Sequence, residues 1–146
     1  MASLPLMVYE QLRCEYHSDT KVSITSPEDI LTYKQVAAMS IKPQEHFSIL
    51  TLDGASKVIK YHNITKGLLN HSLIHPREVY RTAIKDNAHS IIALHNHPSG
   101  SLEPSQADIT ITKQLAEAGK IIGIELLDHI IISRDGVQGM RQLGYV

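Results

Sequence analysis

Two imidazoles and a carboxylate stand close together in the stretch ALHNHPSGSLEPSQAD, residues 93 to 108. His95 and His97 close an apolar run, Ser90-Ile91-Ile92-Ala93-Leu94-His95, and are two residues apart. Side chains alternate along an extended chain, so the two rings project to the same side. Pro98 removes a ladder donor and helps to end the strand, leaving both rings at a sheet edge beside a loop. Asp108 brings the third group. Ser105 is a natural helix cap, which puts Asp108 at the third helical position, on the stripe shared by Ile111, Thr112 and Leu115. Two imidazoles and one carboxylate hold a zinc ion with one tetrahedral position open, as catalytic rather than structural zinc requires. Such an ion lowers the pKa of water from ~15.7 toward ~7, so the chemistry on offer is hydrolysis at neutral pH.

Each half of this set also has a plainer explanation. Ser105-Gln106-Ala107-Asp108 reads as a capping box with aspartate in place of glutamate. A lone His-x-His at a strand end is more often incidental than metallic. The readings are compatible, because a serine can cap a helix and still face a metal. Two histidines and a carboxylate also suit non-haem iron, although no oxygenase pattern accompanies them. The string His95-Asn96-His97 is not an HNH nuclease signature, which spreads its residues over a longer unit. A zinc deaminase is excluded, since its PCxxC segment has no counterpart here. Three glutamates are candidates for a general base: Glu45, Glu78 and Glu103. Glu78 lies early in a helix, where an acid has dipole reasons to sit, and Glu103 lies in the loop.

The elements that must position these groups alternate between strands and helices. Leu4 to Tyr16 suggests a short helix. Ser26-Pro27-Glu28-Asp29 is a strong helix start, with a serine cap, a proline at the first position and acids in the first turn, and predicts a helix to about Met39. Glu45 to Leu52 and Lys57 to Thr65 read as strands joined at Asp53-Gly54. In the first of these, Glu45 shares a face with Phe47 and Ile49, and a carboxylate on an apolar face needs a partner or a task. Pro76 to about Asn87 is helical, and Ser90 to His95 reads as a strand buried on both faces. A loop over Asn96 to Pro104 precedes a helix from Ser105 to about Ala118, closed by Gly119. Two further strands are expected at Ile121 to Leu127 and His129 to Ser133, with a turn at Arg134-Asp135-Gly136. This interleaving favours an α/β sheet with helices packed on its faces.

Composition bounds the rest. The chain has 146 residues, 42% of them hydrophobic and 20% charged, enough for one domain with a real core. Its net charge of −1 lacks the basic excess common in nucleic-acid binders. A local exception is Arg77, Arg81 and Lys85, spaced along one helical face, which supports a rival reading as a nucleic-acid or protein-binding module. A solvated face with snorkelling stems is the better explanation of the stripe. The one cysteine, Cys14, excludes an internal disulfide and a thiolate zinc site. Its start lacks the pattern of a signal peptide, and no apolar run is long enough to span a bilayer, so a cytoplasmic location without membrane attachment is expected. No glycine-rich phosphate loop suggests a nucleotide cofactor.

The spacing His95-x-His97, seven residues, Ser105, two residues, Asp108 resembles the JAMM motif of the JAB/MPN metallopeptidases. With HPREVYR at 75 to 81 and LLDHIIIS at 126 to 133, the string HNHPSG resembles the RadC family within that superfamily. The likeness covers residues 22 to 146 and leaves 1 to 21 as an N-terminal extension. It implies a three-layer α-β-α fold with a central mixed sheet, like that of cytidine deaminases. It also implies zinc at His95, His97 and Asp108, and an upstream glutamate that hydrogen-bonds the water to be activated. Glu45 occupies the matching place, on the inward face already argued for it. Ser105 would then help to hold the oxyanion, and the reaction would be hydrolysis of a peptide, isopeptide or related amide in a substrate the motif does not name. No counterpart of the helix-hairpin-helix segment of longer RadC proteins is read in this sequence, so a likeness to the short stand-alone ones is expected. Relatives tend to carry a serine where Gly139 stands. The family's DNA-repair label gives the accessory-module reading, with a structural or vestigial metal, its place as the alternative.

Overall fold

The computed structural model describes residues 23–66 and 74–146. The expected extension 1–21, with its short helix at Leu4 to Tyr16, lies outside them. Five strands form one mixed sheet in the order β2-β1-β3-β4-β5. β1 (His46–Leu52) and β3 (Ser90–Asn96), the second of them the run that reads as a strand buried on both faces, lie side by side near its centre, every residue buried. β2 (Val58–Lys66) is antiparallel to β1, and β1 is antiparallel to β3. β4 (Glu125–Ser133) is parallel to β3 and carries β5 (Gly136–Gly139) antiparallel on its far side.

Alternation along these strands sorts two cores onto the two faces. Phe47, Ile49, Ile91, Ala93 and Leu126 face α2 (Pro76–Lys85) and α3 (Gln106–Ile122), which contribute Val79, Tyr80, Ala83, Ile111 and Leu115. Leu50, Leu52, Ile92, Leu94, Ile130 and Ile132 face the other way, onto Ile30, Val36 and Met39. The result is the three-layer α-β-α sandwich expected from the interleaved pattern. No helix among the described residues is long and apolar enough to cross a membrane. On α2, the Glu78 carboxylate lies 3.8 Å from Arg77 and 3.9 Å from Arg81, so the basic stripe is partly offset by an acid between its members.

Three expectations need correction. The helix read from Ser26 to Met39 is broken into a 3-10 turn (Pro27–Thr32), a short helix α1 (Lys34–Ala37) and a second 3-10 turn (Ala38–Ile41). The capping box at Ser26 and Asp29 does form. The break falls at Tyr33, which is extended (φ −85°, ψ 117°). Just before it, the Thr32 hydroxyl donates to the Asp29 carbonyl at 2.7 Å, a side-chain bond that competes with the helical ladder.

The second correction concerns the long helix α3, which runs past Gly119 and ends at Gly123, whose left-handed φ of +83° is the usual helix stop. Gly119 serves packing. A Cβ there would land on the Tyr80 hydroxyl and within 2.5 Å of the Ile124 carbonyl oxygen. That hydroxyl donates to the Leu115 carbonyl at 2.6 Å, so α2 and α3 meet through this small residue.

Third, the two expected strands after α3 are one strand with a bulge. Ile91 pairs with Leu126 and Ile92 with Asp128, leaving Leu127 as the extra residue. An extra residue shifts alternation by one position. Leu126 and His129 therefore face α3 together, although three residues apart, while Ile130 and Ile132 face α1. The Asp128 carboxylate secures the bulge by accepting from the backbone N–H groups of His129 at 2.8 Å and Arg141 at 2.9 Å.

Where α2 ends, Asp86 ties the helix to the sheet. Its carboxylate accepts from the Thr51 hydroxyl at 2.7 Å and lies 2.5 Å from His62 Nε2. Burial pushes its pKa up, but the bonds from Thr51 and His62 outweigh that and hold it below the usual carboxylate range. A depressed carboxylate contributes stability that is present above ~3.9 and lost as pH falls below it. Asp86→Asn is therefore expected to flatten the fall in melting temperature between pH 5 and 3. At Gly119 the sign of a helix substitution should reverse. Gly119→Ala, which gains up to ~1 kcal/mol in an open helix, is expected to cost about 1–3 kcal/mol through overpacking, read as a lower urea midpoint.

Candidate metal centre

The site lies where β3 ends, on the α3 face. His95 belongs to the same alternate set as Ile91 and Ala93, and His97 follows two residues later beyond the strand end. Their rings meet edge to face, with centroids 4.5 Å apart. Gly100, in the left-handed region at φ +90°, bends the loop back so that its N–H reaches the His97 carbonyl at 3.1 Å. A side chain at Gly100 would press on the Arg134 guanidinium, which donates to the Ser99 carbonyl at 3.3 Å and pins the loop to the β4–β5 turn.

Asp108 enters from the first turn of α3 with no solvent exposure. The capping box is present in full. The Asp108 N–H donates to Ser105 Oγ at 3.1 Å, and the Ser105 N–H donates to Asp108 Oδ2 at 2.8 Å. Beyond the cap, each carboxylate oxygen meets one ring: Oδ1 lies 3.2 Å from His95 Nδ1, and Oδ2 lies 3.3 Å from His97 Nε2. The capping and site readings of Asp108 thus coexist in one side chain.

These distances test whether a zinc ion fits. Ligand atoms ~2.0–2.1 Å from a tetrahedral ion are separated from one another by roughly 3.3–3.4 Å. The 3.2 and 3.3 Å separations lie close to that edge length. They run to two different carboxylate oxygens and equally suit hydrogen-bonded imidazole–carboxylate pairs, so they are compatible with one ion without defining its geometry. The protonation pattern agrees. Ser101 offers a carbonyl oxygen 2.9 Å from His97 Nδ1, so that nitrogen is the donor and Nε2 presents its lone pair toward Asp108. A lone pair facing a carboxylate oxygen calls for a cation between them, either a proton or a metal. The pKa of His97 is accordingly raised, chiefly by its bond to Asp108. Burial pushes the Asp108 carboxyl up, but the bond with His97, the nearby His95 and the bonds from Ser105 hold it far below the carboxylate range.

Glu45 comes from the other side of the sheet order, immediately before β1. Its carboxylate and one nitrogen from each of His95 and His97 lie within 4.8 Å of one another. Of the three candidate glutamates it is the one beside the histidines among the described residues. Glu78 is exposed beside Arg77 and Arg81 on α2, and Glu103 is exposed in the loop. Two carboxylates, Glu45 and Asp108, thus flank one pair of imidazoles.

Sequence reasoning missed the support behind the site. His129, fully buried on β4, has its ring 5.7 Å from that of His95 and 5.6 Å from Phe47. The Thr112 hydroxyl lies 2.6 Å from the Asp108 carbonyl and 2.7 Å from His129 Nδ1. It has one proton to give, so it donates to the carbonyl and accepts from His129. The turn-rich sequence places Asn96 in the loop, yet it is the last residue of β3 and is buried. The available signals were the polar residue between two candidate ligands and the Asp-His pair that interrupts an apolar run.

Purified protein is expected to hold about one equivalent of metal, and a folded Asp108→Ala variant to lose it by elemental analysis. Metal at 100 times its Kd should stabilise the wild type by ~2.7 kcal/mol and the variant by nothing measurable.

The sequence matches the family model of the RadC-like JAB domain over residues 24–145. A UPF0758 protein of Methanospirillum hungatei is 56% identical over 126 residues, covering 86% of this chain and 56% of that protein. UPF0758 proteins of Staphylococcus aureus are 46% identical over 127 residues, 87% of this chain; they are covered to 55% in strain bovine RF122 and 58% in strain NCTC 8325. The chain therefore spans a little over half the length of these relatives, whose names state no activity. The family match over nearly the whole chain, carried on a mixed five-stranded sandwich, shows that this chain belongs to the RadC family as a RadC-like JAB domain.

Proposed function

We propose that this domain is a zinc-dependent hydrolase of the JAMM type, acting on a peptide, isopeptide or related amide bond. The observation that carries this reading is the pair of imidazoles flanked by two carboxylates, Asp108 meeting both rings at 3.2 and 3.3 Å and Glu45 within the 4.8 Å set.

The two carboxylates differ in ways that divide their roles. Asp108 is fully buried, and each of its oxygens lies within 3.3 Å of one ring nitrogen, although the set in which one atom from each residue falls within 4.8 Å is Glu45, His95 and His97. His95, His97 and Asp108 are the proposed holding set, with one tetrahedral position left open. Glu45 is only partly buried and stands just outside the strand ladder. It serves as the base. When bound, zinc supplies Lewis acidity, polarising a carbonyl and lowering the pKa of water toward ~7.

Glu45 then takes a proton from the attacking water and returns it to the leaving amine, as a carboxylate within reach of both does in general acid–base catalysis. Ser105 Oγ accepts the Asp108 N–H, so its own hydroxyl proton is left to donate. Given to the oxyanion of the tetrahedral intermediate, one such bond is worth about 3 kcal/mol. Two histidines and a carboxylate also suit ferrous iron, and elemental analysis decides between the two.

The test is a cleavage screen over peptide and isopeptide libraries, comparing wild type with Glu45→Gln. The variant is expected to retain its metal and lose turnover by about 100-fold or more, the low end of what a positioned base contributes. Cleavage at the wild-type rate by Glu45→Gln would reject its role as base.

A further inference from the structure

Asn96 stands between His95 and His97 and is 1% exposed. Its carboxamide makes two bonds across the sheet. Oδ1 accepts the His46 N–H at 2.6 Å, and Nδ2 donates to the Gln44 carbonyl at 2.9 Å. Those two backbone groups flank one residue, Glu45.

The backbone ladder between β1 and β3 ends at the pair Phe47 and His95. Beyond it, the carboxamide of Asn96 takes over the work of the next peptide group, accepting one N–H and donating to one C=O. On its other edge this part of β3 stays paired with β4. Asn96 is in register with Ile132, and the His97 N–H donates to the Ile132 carbonyl at 2.9 Å. Asn96 is thus anchored by β4 and reaches the opposite way to hold the backbone on both sides of Glu45.

We propose that Asn96 is a positioning residue that sets the Glu45 carboxylate against His95 and His97. This rests on the reading of Glu45 as the base of a metal site. The chemistry of the side chain is specific. Aspartate would keep an acceptor for His46 but turn an oxygen toward the Gln44 carbonyl. Leucine would leave both backbone groups unsatisfied, and glutamine is longer by one methylene. An asparagine that only shaped the 97–105 loop would have no reason to bond with residues on either side of a glutamate from another strand.

The experiment uses Asn96→Ala, with Asn96→Asp as a second variant in case the first fails to fold, and cobalt(II) as the probe. In Asn96→Ala the His46 amide is expected to exchange with solvent roughly tenfold faster or more, while Leu50 in mid-strand stays protected. The visible spectrum of the cobalt form should move to that of Glu45→Gln, with cobalt affinity within a few-fold of wild type. The double variant Glu45→Gln/Asn96→Ala should show no further spectral change. Asn96→Asp, which keeps one of the two bonds, should fall between wild type and Asn96→Ala in both readouts. Unchanged His46 exchange, or a wild-type spectrum in Asn96→Ala, overturns the proposal and leaves the metal site standing. A wild type that takes up no cobalt overturns the metal-site reading itself, and the role of Asn96 with it.

Discussion

Asp108 takes a negative charge to a place with no solvent exposure, and most of the surrounding architecture answers that fact. A carboxylate removed from water loses several kcal/mol of hydration unless hydrogen bonds and opposite charge replace it. Here the replacement comes from the first turn of α3, where free N–H groups and the positive end of the helix dipole favour an anion, and from Ser105 and the two imidazoles. The helix must start where β3 has just delivered its histidines. The loop between them must be short and pinned, as Gly100 and Arg134 make it. The same buried charge is what makes a cation at this point stabilising rather than merely tolerated.

The second constraint is the face on which side chains emerge. Strand periodicity leaves no freedom: His95 faces α3 because Ile91 and Ala93 do. β4 needs an interruption to bring His129 to that same face, and the extra residue Leu127 supplies it. His129 then holds Thr112, and Thr112 holds the Asp108 carbonyl. A local irregularity in one strand therefore reaches the helix start that carries the carboxylate. The Asp128 carboxylate, whose pKa is raised by burial against its backbone bonds, accepts the cost of that irregularity.

What could be read from the sequence follows from the range over which each feature is determined. β3 was visible because a strand buried on both faces is nearly continuously apolar, and β1 because its β-prone run ends at the Asp53-Gly54 turn. The Ser105–Asp108 box and the His-x-His pair were visible because each is set within a few residues. Gly119 misled, since a glycine inside a helix and a glycine ending one look alike until Tyr80 is found lying against the first. The break at Tyr33 and the bulge at Leu127 depend on partners far along the chain. Asn96 belongs to the same class. Its residue type was plain, but its partners at Gln44 and His46 exist only in the folded sheet.

The groups proposed to hold the ion all lie on one continuous strand–loop–helix passage, whereas Glu45 arrives from a separate strand by way of the sheet. In the proposed function, chelation and turnover therefore depend unequally on the fold. The passage from His95 to Asp108 keeps its geometry through β3, the start of α3 and the contacts from His129 on β4 and Arg134 in the turn after it. The base needs β1 aligned against β3 up to its very first residue. Fraying at the mouth of β1 would thus displace the proposed base while leaving the proposed holding set in place.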